Sequence, residues 1–376
     1  MPALLFAAAL AAISAGCDLE RPSGQVGCVR AAVDALPMNS IQVVGTHNSY
    51  KMAMAPNEMA ALRAINPTAA TTLDYSHPPL AEQLNGGARQ IEIDIVNDPK
   101  GGLYTTPLGY RAAGAKAVPY DFKPLKAPGF KVIHAPDIDY RSVCPTFRAC
   151  LAQIRAWSRA HPRHVPLLII LNLKEDAVSW PGAVKPPLFD ARAMDAIDTD
   201  IRSVFPPAAL ITPDQVQGRY RSLREAVAAG AWPRLGAARG RVMIALDCPP
   251  DQVARYRGAR RVLEGRVAFV NIDETSPAAG YITLNEPQPD AARIRAAVTA
   301  GLIVRTRADA DTMEARANDP TRQIAAFAAG AQFVSTDYMT PDPRFGPYVT
   351  RLPGGGVARV SPGWNRIPAT PPGDSP

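Results

Sequence analysis

Eight short runs of β-branched and aliphatic residues, most of them followed by a longer amphipathic stretch, constrain this chain more than any other feature. The runs fall at residues 41–45, 89–95, 131–134, 166–173, 241–246, 266–270, 302–305 and 332–335. Between most of them, at 145–159, 190–204, 251–264, 289–300 and 315–329, apolar residues recur at the three- and four-residue spacing of a helix face. Strand and helix in alternation predict a parallel sheet with right-handed crossovers, and eight such units close as an α/β fold of the (β/α)8 barrel type. An open doubly wound sheet is the rival, but no Gly-x-Gly-x-x-Gly follows any of the runs. The expected organisation is one catalytic barrel at 41–353, a lead-in at 17–40, and a Gly/Pro/Ser-rich flexible tail at 354–376. Two long excursions, 51–77 and 97–129, follow the C-terminal ends of the first two strands, where barrel enzymes carry their substrate-shaping loops.

Composition narrows the function classes. Of 376 residues, 47% are hydrophobic and 20% charged, which is globular, and Lys+Arg 41 against Asp+Glu 34 gives +7. The basic residues are scattered without a Lys/Arg block, so nucleic acid is excluded as a partner, whereas a polyanionic substrate or an anionic lipid surface stays open. Past the N-terminus no apolar run reaches the roughly 18 residues of a membrane span, and the mature chain is expected to be soluble and monomeric. Residues 1–16, apolar and Ala-rich and ending in small residues, read as an export signal. Ser14-Ala15-Gly16-Cys17 resembles a lipobox, which would make Cys17 a lipid anchor, although Ser14 stands where an aliphatic residue is usual and no basic n-region precedes it. With Cys17 lipidated or lost, Cys28, Cys144, Cys150 and Cys248 remain, an even number in an oxidising compartment, and Cys144 and Cys150 are close enough to bridge a small loop.

The chemistry gathers at strand ends. His47 and His134 each close one of the runs, so a barrel would bring both to one mouth. The other histidines, His77, His161 and His164, lie near helix ends and read as surface or capping residues. On the second strand, period-two alternation turns Glu92 and Asp94 to the same inward face. Two inward carboxylates need a cation, so the choices are a buried salt bridge with an inward Lys or Arg, or a metal. With the Asn48 amide oxygen they make a hard, all-oxygen half-shell that suits Ca²⁺.

Gly45-Thr46-His47-Asn48-Ser49-Tyr50, the Glu92-x-Asp94 strand, His134-Ala135-Pro136-Asp137, the segment from Cys144 to Trp157, Leu171-Asn172-Leu173-Lys174 and Ser335-Thr336-Asp337-Tyr338 together resemble the bacterial calcium-dependent phosphatidylinositol-specific phospholipases C. The resemblance implies cleavage of a phospholipid at a membrane surface, with Ca²⁺ on Asn48, Glu92 and Asp94. It implies that His47 assists the inositol 2-hydroxyl and His134 protonates the departing diacylglycerol oxygen, with a metal-bound carboxylate as the alternative base. The fourth strand departs from the related eukaryotic enzymes, which place an acidic ligand there, because its inward parity carries either Asn172 and Lys174 or Glu175. An inward Lys174 would bind phosphate, leaving calcium held by fewer charges. Asp337 would orient a histidine, bind an inositol hydroxyl or cap a helix. The rival enzyme, a glycerophosphodiester phosphodiesterase, typically has Arg where Asn48 stands, and a non-catalytic lipid-binding barrel of the cell envelope is the reading from another class.

Overall fold

The computed structural model describes residues 13–364, so the start of the expected export signal and the end of the expected tail lie outside the described residues. The strands are β1 Ile41–Thr46, β2 Gln90–Val96, β3 Lys131–Val132, β4 Leu167–Lys174, β5 Leu210–Ile211, β6 Val242–Leu246, β7 Phe269–Val270, β8 Tyr281–Thr283, β9 Ile303–Arg307, β10 Phe333–Thr336 and β11 Ala358–Val360. They form two sheets, β11-β1-β10-β9-β8 and β3-β2-β4-β6-β5, with β7 also on β6. Every pairing is parallel except β1 with β11 and β2 with β3. The α/β architecture expected from the alternation is present, as an irregular TIM-type arrangement whose two sheets meet at two seams.

Each seam has a physical cause. At the first, β11 occupies the free edge of β1 at residues 41–43, so β2 can reach β1 only beyond it. There Arg89 donates its backbone N–H to Val44 O at 2.9 Å, and the Gln90 side chain donates to Thr46 O at 3.0 Å in place of a backbone rung. Gly45 makes room for that side chain. At the second seam a single bridge joins Asn271 to Tyr281, and the Asn271 side chain accepts from Thr283 N at 3.0 Å.

Four expectations need correction. Residues 131–134 are not a barrel strand: β3 keeps only 131–132 and runs antiparallel to the end of β2. Two further parallel strands, the two-residue β5 and the three-residue β8, are too short to register as hydrophobic runs. Residues 354–364 of the expected tail are tied down through β11. The helix expected at 315–329 is two, Met313–Ala317 and Thr321–Ala328, interrupted by Asn318 at φ 49° and by Pro320, which has no N–H to donate.

The helix expected at 251–264 ends at Arg257, where Gly258 at φ 60° closes it, and the others follow their periodicity. Phe147–Ala160 buries Phe147, Cys150, Leu151, Ile154 and Trp157 at helical spacing, and Ala191–Val204 is capped by the Asp190 carboxylate on Ala193 N at 2.8 Å. On β2, Ile91, Ile93 and Ile95 face the helices at 0% exposure, worth roughly 1.5–3 kcal/mol each, while the alternate positions turn their polar groups into the barrel. Cys144 bonds to Cys150, as the spacing allowed. Cys17, however, bonds to Cys28 and is buried. Its sulfur is therefore engaged in a bridge, and the free cysteine among the described residues is Cys248.

Candidate active site

The C-terminal ends of β1, β2, β4, β9 and β10 converge at one mouth. His47 follows β1, and Asp337, immediately after β10, accepts from its Nδ1 at 2.9 Å. A carboxylate is an acceptor only, so it fixes the proton on Nδ1 and leaves Nε2 as a base, 3.7 Å from Glu92 Oε1. His134 stands in the turn after β3, where its Nδ1 meets Asp139 Oδ2 at 2.9 Å. The Asp139 carboxylate is in turn 3.3 Å from Lys51 Nζ. Tyr75 lies between the imidazoles, its ring centroid 6.2 Å from His47 and 6.3 Å from His134. Each imidazole thus has an acidic orienter and a fixed tautomer.

Asn48, at φ 46°, is in the left-handed region that Asn tolerates. Its Nδ2 donates to Tyr75 Oη at 2.7 Å, which turns the amide so that Oδ1 is buried with no hydrogen-bond partner. Glu92 and Asp94 point inward as the alternation required. Asn172 on β4 also points inward and shares one amide between them, donating at 2.8 Å to Glu92 Oε1 and 3.1 Å to Asp94 Oδ1. The second oxygen of each is ion-paired: Glu92 Oε2 with Arg305 Nη2 at 2.6 Å, Asp94 Oδ2 with Lys174 Nζ at 2.8 Å. Of the two expectations for this carboxylate pair, the buried salt bridge with an inward Lys or Arg is therefore present.

These fields set the protonation. Burial, only partly offset by Arg305 and reinforced by the Asp94 charge, pushes the Glu92 carboxyl up to about 7. Burial acts the same way on Asp94, but Lys174 and the two imidazoles outweigh it and hold it below the usual carboxylate range. For His47, burial and then the Arg307 charge bring the imidazole down to about 3 against the pull of Asp337. Asp337 stays well below the usual range: burial opposes ionisation, and His47, His77 and Arg307 overcome it.

Asn48 Oδ1, an orphaned buried acceptor, and the two carboxylates that share a single amide donor suit a hard divalent cation. Among the described residues no group of three or more His, Cys, Asp and Glu side chains forms a metal site. Calcium fits this donor set.

Sequence reasoning brought His47, His134, Asn48, Glu92, Asp94, Lys174 and Asp337 to one place, and all are there. Lys174 pairs with Asp94, and Glu175 faces away, bonded to Phe189 N and to Arg255. Asp337 precedes no helix, which removes the capping alternative. His77 is buried, not on the surface: it approaches the His47 carbonyl through Nε2 at 2.7 Å, and the same nitrogen is 3.8 Å from Asp337 Oδ1. His164 is buried as well, whereas His161 is exposed against Trp157. Residues missed were Lys51, Tyr75, Asp139, Arg305 and Arg307, the last lying 3.2 Å from Asp337 Oδ2. The two arginines had a signal: continuing the β9 run by two residues puts 305 and 307 on one face, by the alternation that exposed Glu92 and Asp94.

Oriented imidazoles beside hard oxygens can move protons around a phosphate, and the fold and site define a calcium-assisted phosphodiesterase of the barrel type. Residues 36–362 match the model of the family described as phosphoinositide phospholipase C, Ca²⁺-dependent, and the chain belongs to that family. The fold is similar to that of a calcium-dependent phosphoinositol-specific phospholipase C from the Gram-negative bacterium Pseudomonas sp, apo form, myoinositol complex. That likeness has 16% identity and a TM-score of 0.52, over 87% of this chain and 96% of the other. A second crystal form of the same protein gives 16% and 0.52 over 86% and 95%. A calcium-dependent phosphatidylinositol-specific phospholipase C from Streptomyces antibioticus gives 18% and 0.48 over 81% and 95%. No curated protein sequence matches the chain.

Proposed function

We propose that this enzyme cleaves phosphatidylinositol to diacylglycerol and a cyclic inositol phosphate, which water then opens. The observation that carries the reading is the pair of imidazole–carboxylate dyads, His47–Asp337 and His134–Asp139, facing one mouth with Glu92, Asp94 and Asn48 between the strands that hold them. Bound calcium, held by Asn48, Glu92 and Asp94, would lower the pKa of the inositol 2-hydroxyl and offset negative charge on phosphorus. His47 Nε2, already a free base, takes the 2-hydroxyl proton as that oxygen attacks phosphorus. His134, its Nδ1–H held by Asp139, gives a proton from Nε2 to the departing diacylglycerol oxygen, and Asp139 stabilises the imidazolium that this role requires. Lys174, released from Asp94, binds a phosphate oxygen, and Arg307 holds Asp337 in place.

A membrane substrate is supported by where exposed apolar side chains fall. Of the large exposed apolar side chains, Met52, Ile65, Val118, Leu188 and Met313, 37–59% exposed, lie on segments that follow C-terminal ends of barrel strands, the end that carries the site, whereas Val26 and Val29 precede β1 and Ile324 lies on the helix before β10. No helix among the described residues is long and apolar enough to cross a membrane. Export is supported by the two disulfides. Headgroup release tests the reading: water-soluble inositol phosphate should appear from phosphatidylinositol vesicles, and glycerol phosphate should not appear from glycerophosphodiesters. The reverse pattern would favour the rival phosphodiesterase.

A further inference from the structure

We propose that a cationic cleft at the opposite end of the barrel binds a phosphate-bearing anion. The cleft, of about 470 Å³, is walled by Arg155, Arg159, Arg239 and Arg241 and floored by small residues, Pro162, Ala208 and Gly240 among them, and no acidic residue lines it. Its walls are the end of the helix Phe147–Ala160 and the segments that lead into β4, β5 and β6. Those segments precede their strands, so the cleft opens at the N-terminal strand ends while the catalytic mouth lies at the C-terminal ends.

The arginines are scattered in sequence and gathered by the fold. Arg155 and Arg159, four apart on one helix, share a face. Arg241 donates to the neutral acceptors Leu210 O and Gln215 Oε1, both at 2.5 Å, and its Nε is buried without a partner. The Arg155 guanidinium sits 6.0 Å from the Phe205 ring centroid. Arg239 is the exception, bonded to Asp34 Oδ1 at 2.7 Å.

Arg155 and Arg159 repel one another, and Arg155 and Arg241 have lost part of their hydration. Burial lowers both Arg155 and Arg241, and the Arg159 charge adds to the effect on Arg155. Arginine does not neutralise itself by losing a proton, so relief comes from a bound anion. A helix C-terminus would account for Arg159 in the last turn. It does not account for Arg155 a turn earlier or for Arg241 on another element. Planar forks converging from two elements are the arrangement that matches the oxygens of a phosphate.

The test is calorimetric titration of the full chain with pyrophosphate at low salt. The wild type should bind it, Arg155→Ser/Arg159→Ser should weaken binding at least tenfold, and Arg241→Gln should weaken it in the same sense. Lys174→Ala should leave it unchanged, and the double variant should keep its turnover on phosphatidylinositol. Sedimentation with phosphatidylglycerol vesicles separates the sources. Vesicle binding lost in the double variant would place the phosphate on a lipid headgroup, and vesicle binding unaffected would make it a soluble phosphate. No binding by the wild type, equal binding by all the arginine variants, or binding lost in Lys174→Ala would overturn the proposal.

Discussion

At the residue scale, the imidazoles of His47 and His134 each meet a carboxylate that sets the tautomer, and the carboxylates meet cations in turn. His134→Ala should remove the proton donor and Glu92→Gln a metal oxygen. Each is expected to lower kcat/KM by about 10²- to 10⁴-fold with little change in thermal stability. A variant that keeps more than about a tenth of wild-type turnover would be removed from the mechanism. Lys174 acts in two directions. Because its ammonium neutralises Asp94, Lys174→Ala should tighten calcium, by about tenfold in Kd if roughly 1.4 kcal/mol of the ion-pair attraction is recovered, while turnover falls for want of a phosphate contact. Calcium calorimetry beside a rate assay checks both halves, and weaker calcium binding in the variant would contradict this reading of the pair. Much of the site was legible because a strand has a period of two: Glu92 and Asp94 announced themselves by alternation. Asp139, Lys51 and Tyr75 were not legible, since the turn and loops that deliver them have no period.

At the element scale, the irregularity of the barrel lies in its seams. A Cβ at Gly45 would sit 2.8 Å from the Gln90 carbonyl oxygen and closer still to its side chain. Gly45→Ala should therefore cost about 2–3 kcal/mol, visible as a lower Tm. The loop entering β4 carries a pH response. His164 is buried, and that burial, with Arg89 adding to it, brings the imidazole down to about 4; its Nδ1 meets Val165 O at 2.6 Å and its Nε2 the Ser158 hydroxyl at 2.8 Å. The folded state binds this proton less readily than the unfolded state, so stability is whole above about pH 6.5 and is lost as pH falls toward 4, by about 3 kcal/mol. His164→Gln should flatten that part of the Tm–pH profile, and an unchanged acid slope would count against it. Element positions were largely readable from periodicity. What periodicity missed were β5 and β8, two and three residues long, and β11, which lies in a Gly-rich stretch and exists through its pairing with β1.

At the scale of the whole molecule, the barrel separates two ends with different chemistry: oriented imidazoles and paired carboxylates at one, arginines lining a cleft at the other. The +7 charge read as diffuse along the sequence because Arg155, Arg159 and Arg241 come together only when strands and helices are wound. The central claim is that the first end performs calcium-assisted attack by the substrate's own hydroxyl. The measurement that tests it most directly is a ³¹P NMR time course on phosphatidylinositol vesicles, with calcium and with chelator. A five-membered cyclic phosphodiester should appear first with calcium and should not form under chelator. An acyclic phosphomonoester from the outset, or a rate indifferent to chelator, would contradict it.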